Sequence, residues 1–318
     1  MRKTSIGGQA LIEGIMMRGP KQTAMAVRDP QGEIVLEKWE TKSTVRGKFF
    51  RLPFIRGIFN FVDSMVFGYK CLMRSAEIAG LEEVADPEQE GKKDSISPAM
   101  MNAIMVISSV LGVVLAVTLF KLLPEAIYEL IARFVPAING EGYGFSLLRA
   151  FFIGVMKVFI LVGYMKVVTL MKDIRRTFMY HGAEHKTIFC YEHGLELTVE
   201  NVRGERRFHP RCGTSFLILM VLVNIVISMF IPAQLSDVRI VNILLRTLIS
   251  LVIMPLIVGI GYELIKLAGK HDNRLTRAIS APGLWLQRIT VLEPDDGMIE
   301  CAIAAVKEVI PDDGSDRW

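Results

Sequence analysis

The stretch "MNAIMVISSVLGVVLAVTLFKL", Met101 to Leu122, carries a single charge, Lys121, near its end. About 20 apolar residues in helical form cross a bilayer's hydrocarbon core, so this stretch decides the fold class. The rest of the chain agrees. Its 318 residues are 51% hydrophobic and 22% charged, and the mean hydropathy is +0.38. That is too apolar for an ordinary soluble domain. Three further blocks have the same character: 150–171, 216–231 and 243–267. The third of the four blocks is short and extends backwards through Thr214 and Ser215. Pro255, inside the last, predicts a kink because it removes a backbone donor.

The fold class read from this pattern is an α-helical integral membrane protein with four transmembrane helices and a cytosolic α+β cap. Lysine and arginine are dense before the first block, between the second and third, and after the fourth. By the positive-inside rule both termini and the loop 172–214 face the cytosol. The second block is expected to continue as a helix into that loop. Three regions follow: 1–99, a cytosolic N-terminal region; 100–269, the transmembrane region with its loop 172–214; and 270–318, a cytosolic tail. Net charge is only +4. No nucleic acid is expected as a partner; membrane lipids suit a basic inner face. The four cysteines form no C-x-x-C pair, so reduced thiols are expected rather than a disulfide framework. Gln9 and Glu13 interrupt any apolar core of a signal peptide.

Within the first region, "AMAVRDPQGEIVLEKWE" predicts a β-hairpin turning at 29–32. "LPFIRGIFNFVDSMVFGYKCLMRSAEIAG" predicts an amphipathic helix in the membrane interface or against the spans. "LEEVADPEQEGKKDSIS" is a charged, solvated tether. "PEAIYELIARFV" and "IECAIAAVKEVI" are further short helices.

The loop is where chemistry concentrates. "YHGAEHKTIFCYEHG", from Tyr180, holds three of five histidines. His181 and His185, four apart on a helix, share a face and can close on one metal ion. Glu184 beside them is a candidate general base. The bland alternative is an interfacial polar helix. "TIFCYEHGLELTVENV" alternates like a hairpin turning at Glu192-His193-Gly194. "RFHPRCGTSF" then supplies His209 and Cys212, two more ligands of the kind zinc prefers. A divalent metal, zinc by ligand type, ranks first. Second comes an anion seat formed by Arg211 and the following helix N-terminus. A nucleophilic Cys212 ranks third. Lys157, deep in the second block, needs a polar cavity or the bundle interior. Gln9, Glu13 and Arg18, polar groups set in apolar sequence, either plug the cap onto the bundle or approach the histidines as supporting or substrate-binding groups.

"GGQALIEGIMMRGP", "YHGAEHKTIFCYE", "LTVENVRGERRFHPRCGTSF" and "APGLWLQRITVLEP" together resemble the YqhQ family of bacterial membrane proteins, once catalogued as a domain of unknown function. The resemblance covers nearly the whole chain. One departure is Val291, where the family tends to carry a second threonine. The resemblance implies a multi-pass protein of the bacterial plasma membrane. Members are often labelled predicted metal-dependent enzymes, on these same His, Glu and Cys residues. Two functions follow as expectations. One is a metal-dependent hydrolase or transferase at the cytosolic membrane face. The other is a non-enzymatic factor in a membrane protein complex, docking a translocation or insertion machine. The first takes His181, His185, His209 and Cys212 as ligands and Glu184 as general base; in the second a closed four-ligand site would leave no open position for water, so the number of protein ligands discriminates the two.

Overall fold

The computed structural model describes residues 3–41, 47, 49–80, 98–138, 140, 142–232, 234–271 and 273–317. The expected tether, 81–97, lies outside them. The chain divides into two compact units: Met1–Glu82, Met165–Leu219 and Pro255–Trp318 form the first, and Glu83–Tyr164 with Met220–Met254 the second.

The first unit opens with four strands, β1 (Gly7–Leu11), β2 (Gly14–Arg18), β3 (Gln22–Arg28) and β4 (Ile34–Glu40). They form an antiparallel meander in the order β1-β2-β3-β4. The β3–β4 hairpin is the expected one. Asp29 accepts hydrogen bonds from the N–H groups of Gln31 and Glu33, and Gly32 supplies the positive φ the turn needs. The β1–β2 hairpin was not anticipated. It turns on Ile12 and Glu13, with Glu13 at φ 49°, a value that glycine or asparagine usually fills. The segment also lacks polar alternation because the sheet is covered on both faces. Ile15, Met17, Ala24 and Ala26 pack into one core, and Leu11, Met16, Met25 and Val27 into another.

The second of these cores is closed by α1 (Ile55–Ile78), the expected amphipathic helix, through Cys71, Phe67 and Leu72. The first is closed by α5 (Lys172–His193) and α10 (Asp296–Lys307). The sequence reading fails at two points on α5. It does not continue from α4 (Tyr143–Val168): Met171 is extended, at φ −74° and ψ 128°, and separates the two helices. Nor does the chain turn back as a hairpin at 192–194. The helix runs through Ile188, Phe189 and Cys190 to His193, and Gly194 ends it in the left-handed conformation. This part of α5 is buried on nearly every side, so it shows no polar stripe and its alternation mimics a strand. The short α6 (Val199–Gly204) follows, capped by Thr198.

Three segments are long and apolar enough to cross a membrane: Val106–Phe134, Tyr143–Val168 and Leu244–Lys270. The first joins α2 (Pro98–Val117) to α3 (Leu123–Phe134) through a π-helical stretch at Thr118–Leu122. Pro124, which has no N–H to donate, lies just after that stretch. The third belongs to α8 (Arg239–Lys270). The third of the four expected spans, α7 (Gly213–Ser228), has only 16 residues, about 24 Å of helix. It begins where the backward extension through Thr214 and Ser215 was expected. Last come α9 (Arg274–Thr290), opened by an Asn273–Thr276 capping box, and α10.

Candidate metal centre

Helix α5 sets His181 and His185 one turn apart with ring centroids 4.5 Å from each other. The ring nitrogens are fixed by the backbone. Nδ1 of His181 lies 3.0 Å from the Thr290 carbonyl oxygen, and Nδ1 of His185 lies 2.5 Å from that of Arg207. A carbonyl can only accept, so each Nδ1 carries the proton and each Nε2 keeps a lone pair. That is the tautomer in which metal-bound histidines are held by their surroundings. Nε2 of His181 faces the Cys212 sulfur at 3.0 Å.

Cys212 is delivered by the segment after α6 and sits just ahead of α7. Its sulfur accepts from the Thr214 N–H at 3.4 Å and lies 3.2 Å from the Thr214 hydroxyl. Burial pushes this thiol up. Interactions with His185, the largest after burial, and hydrogen bonds from the Thr214 hydroxyl and N–H outweigh it and leave the thiol below its ordinary value. Burial holds His185 down, in the neutral form a metal ligand needs. One donor atom from each of His181, His185 and Cys212 lies within 4.8 Å of the others. Tetrahedral zinc requires donors about 3.5 Å apart, so a small closure would bring all three onto one ion. Among the described residues this is the one such group, and it fits a metal ion.

Glu184 lies on the same turn and is buried. Gly8 donates its backbone N–H to Oε1 at 3.1 Å. A Cβ on Gly8 would come within 3.1 Å of the carboxyl carbon and 2.6 Å of the Met16 oxygen, so glycine is what lets β1 approach. Burial raises Glu184 to about 7; His181 pulls it down, the Cys212 charge adds a smaller push upward, and the Gly8 N–H lowers it least. A carboxyl poised there can both take and give a proton at neutral pH.

His209 stands next to this group rather than in it. Its ring is 5.6 Å from that of His185. Nδ1 accepts from the Arg211 N–H, and Nε2 lies 3.2 Å from the Arg211 guanidinium and 3.8 Å from Glu192. Both ring nitrogens are thus committed elsewhere. Arg211 pairs with buried Glu192 and donates to the Thr4 carbonyl at 2.6 Å. Gln287 of α9 clasps the backbone of His209 at both its N–H and its carbonyl. A cavity of about 250 Å³ adjoins the centre, lined among others by Gly7, Gly8, Glu184, His185, Cys212 and Lys266.

The remaining candidates lie elsewhere. The Gln9 side chain packs against Gly68 of α1. Glu13 pairs with Arg176 and accepts from the Tyr180 hydroxyl at 3.3 Å. Arg18 pairs with Asp63 of α1 at 2.8 Å. Lys157 belongs to the second unit. Sequence reasoning missed Glu192, Gln287 and Thr214. Glu192 could have been found, because positions 181, 185, 188 and 192 fall on one helical face.

No solved structure matches this chain. An uncharacterized protein of Bacillus subtilis (strain 168), YqhQ, is 31% identical over 306 residues, covering 96% of this chain and 92% of the relative. The family model described as "Protein of unknown function (DUF1385)" matches residues 52–312. With both the family model and a full-length relative matched, the chain belongs to the DUF1385 family.

Proposed function

We propose that the protein is a metal-dependent hydrolase or transferase of the bacterial plasma membrane, working at the cytosolic face. In this reading α7 is a fourth crossing and both termini are cytosolic. The observation that carries it is the pair of Nδ1–H groups tied to the Thr290 and Arg207 carbonyls, which leave two imidazole lone pairs beside one thiol. His181, His185 and Cys212 would hold the ion; zinc suits this nitrogen and sulfur set. Three protein ligands leave a fourth position open, as catalytic sites do and closed structural sites do not. A metal ion held there would supply Lewis acidity and would make water a better nucleophile at neutral pH. Glu184, buried beside these ligands, would take a proton from an attacking water and return it to the leaving group. The Gly8 N–H aims the carboxylate. Arg211, tied to Glu192 and Thr4, braces the loop that carries Cys212.

Metal analysis of the purified full-length protein tests this. About one zinc or similar ion per chain is expected, retained in Glu184→Gln while complementation of a deletion strain is lost. Metal-free wild-type protein that complements fully would sink the reading. Orientation is checked separately. A cysteine placed at Tyr143 should be labelled from outside intact cells, and one at Glu196 should not.

A further inference from the structure

A second polar cluster lies within the second unit. Lys157 is about 17 Å along α4 from that helix's nearer end, and Lys121 is about 20 Å from the end of its own apolar segment. Both distances exceed a lysine side chain's reach, so neither ammonium escapes by snorkelling. Both residues are partly buried, whereas the apolar residues around them, such as Leu122, Leu123 and Phe159, face outward. Among the described residues the one carboxylate within electrostatic reach of either lysine is Glu125, and Arg246 shares it at 4.0 Å. Three cations around one carboxylate leave an excess of positive charge where charge is costly. Neither lysine has a hydrogen bond or ion pair among the described residues. Arg149, within reach of Arg246, keeps a buried Nε with no partner, although its other end approaches Glu129 at 3.9 Å. Lys121 also sits in the π-helical stretch, a distortion concentrated at functional sites.

We propose that this cluster binds one phosphate group. Two ammonium groups and a guanidinium N–H each want a separate acceptor oxygen. A carboxylate has two oxygens, while a phosphate has at least three with the charge to match. The phosphate is either a lipid headgroup's or that of a small soluble anion. Such a ligand balances the charge excess that the protein's own acids leave.

The test uses the full chain in a phosphorus-free, non-ionic detergent. Its melting temperature is followed against sodium phosphate, with sodium chloride at matched ionic strength as control. A parallel series uses phosphatidylglycerol against diacylglycerol of the same acyl chains. Phosphate or phosphatidylglycerol should raise the midpoint with the logarithm of concentration. Lys121→Met and Lys157→Met should weaken the apparent affinity about tenfold, and Lys157→Arg should restore it. A response to inorganic phosphate identifies a soluble source, and a response to the phospholipid alone identifies a headgroup. No response to either in the wild-type protein would overturn the proposal. So would methionine variants that respond like wild type.

Discussion

The two polar clusters of this protein are built by opposite rules. Around His181, His185 and Cys212 nearly every donor has a named acceptor, most of them main-chain atoms drawn from distant parts of the sequence. Around Lys121 and Lys157, among the described residues, the cationic side chains outnumber their counter-charges and no main-chain carbonyl accepts from either ammonium, because helical carbonyls are already taken. The first cluster is organised before any ligand arrives. The second, in our proposal, is balanced by a bound phosphate. Preorganisation of this kind suits chemistry, and residual charge suits capture.

Cys212→Ala is the hardest blow to the first cluster. Metal content should fall from about one ion per chain to about a tenth or less, because two imidazoles hold zinc poorly. Lys157→Met should leave metal content unchanged. Elemental analysis of the two proteins checks both, and a Lys157→Met protein stripped of metal would break the contrast. Next in size is Gly182→Ala. A Cβ there would lie 1.9 Å from the Leu292 carbonyl oxygen, which the backbone cannot easily move. About 3 kcal/mol of stability or more should be lost, visible as a lowered melting temperature.

pH sharpens the contrast further. Glu184 is held near 7 against an ordinary 4.5. Its contribution to metal-free stability is therefore complete below pH 4.5 and is lost as pH rises through 7. His209 is depressed, with burial the largest cause. Its contribution is present above the ordinary 6.5 and is lost as pH falls toward the folded-state value. Glu184→Gln should remove the alkaline loss, about 3 kcal/mol for a wholly buried carboxyl. Melting curves of metal-free wild type and variant at pH 5 and pH 8 decide it: a variant no more stable at pH 8 refutes the buried-acid account. Thr214→Val, which deletes the hydroxyl beside the sulfur, should weaken metal binding about tenfold in a competition titration. Smallest of all, Lys21→Ala removes an exposed ion pair to Asp313. It should leave the melting temperature essentially unchanged.

Much of this was legible in the sequence. Blocks of apolar residues have no other soluble explanation, and the β3–β4 turn and α10 carry local signals strong enough to stand alone. The missed strands and the misread half of α5 share one reason. In β1, β2 and the second half of α5 both faces are covered, so the polar residues that mark a period are missing. The liganding pair at four-residue spacing was readable because helix geometry is local. The separation of His209 from the group was not, since it depends on Glu192, Arg211 and Gln287 arriving from other elements. Nor could spacing reveal that the Thr290 and Arg207 carbonyls set the tautomers.

The Thr290 carbonyl that orients His181 has a consequence in time. Ribosomes add about 5–20 residues each second, so Thr290 follows His185 out by roughly 5–20 s. Once Cys212 has followed, 27 residues after His185, the thiol and both imidazoles exist, but the tail that aims one of them has not been made. Arg207 and Thr214 come early, while the α9 end that touches His181 and the segment that meets Gly182 come last. Completion of the centre is thereby tied to completion of the chain. A product of premature termination would insert its apolar segments yet never present an oriented His181, and so would occupy the membrane without acquiring the site.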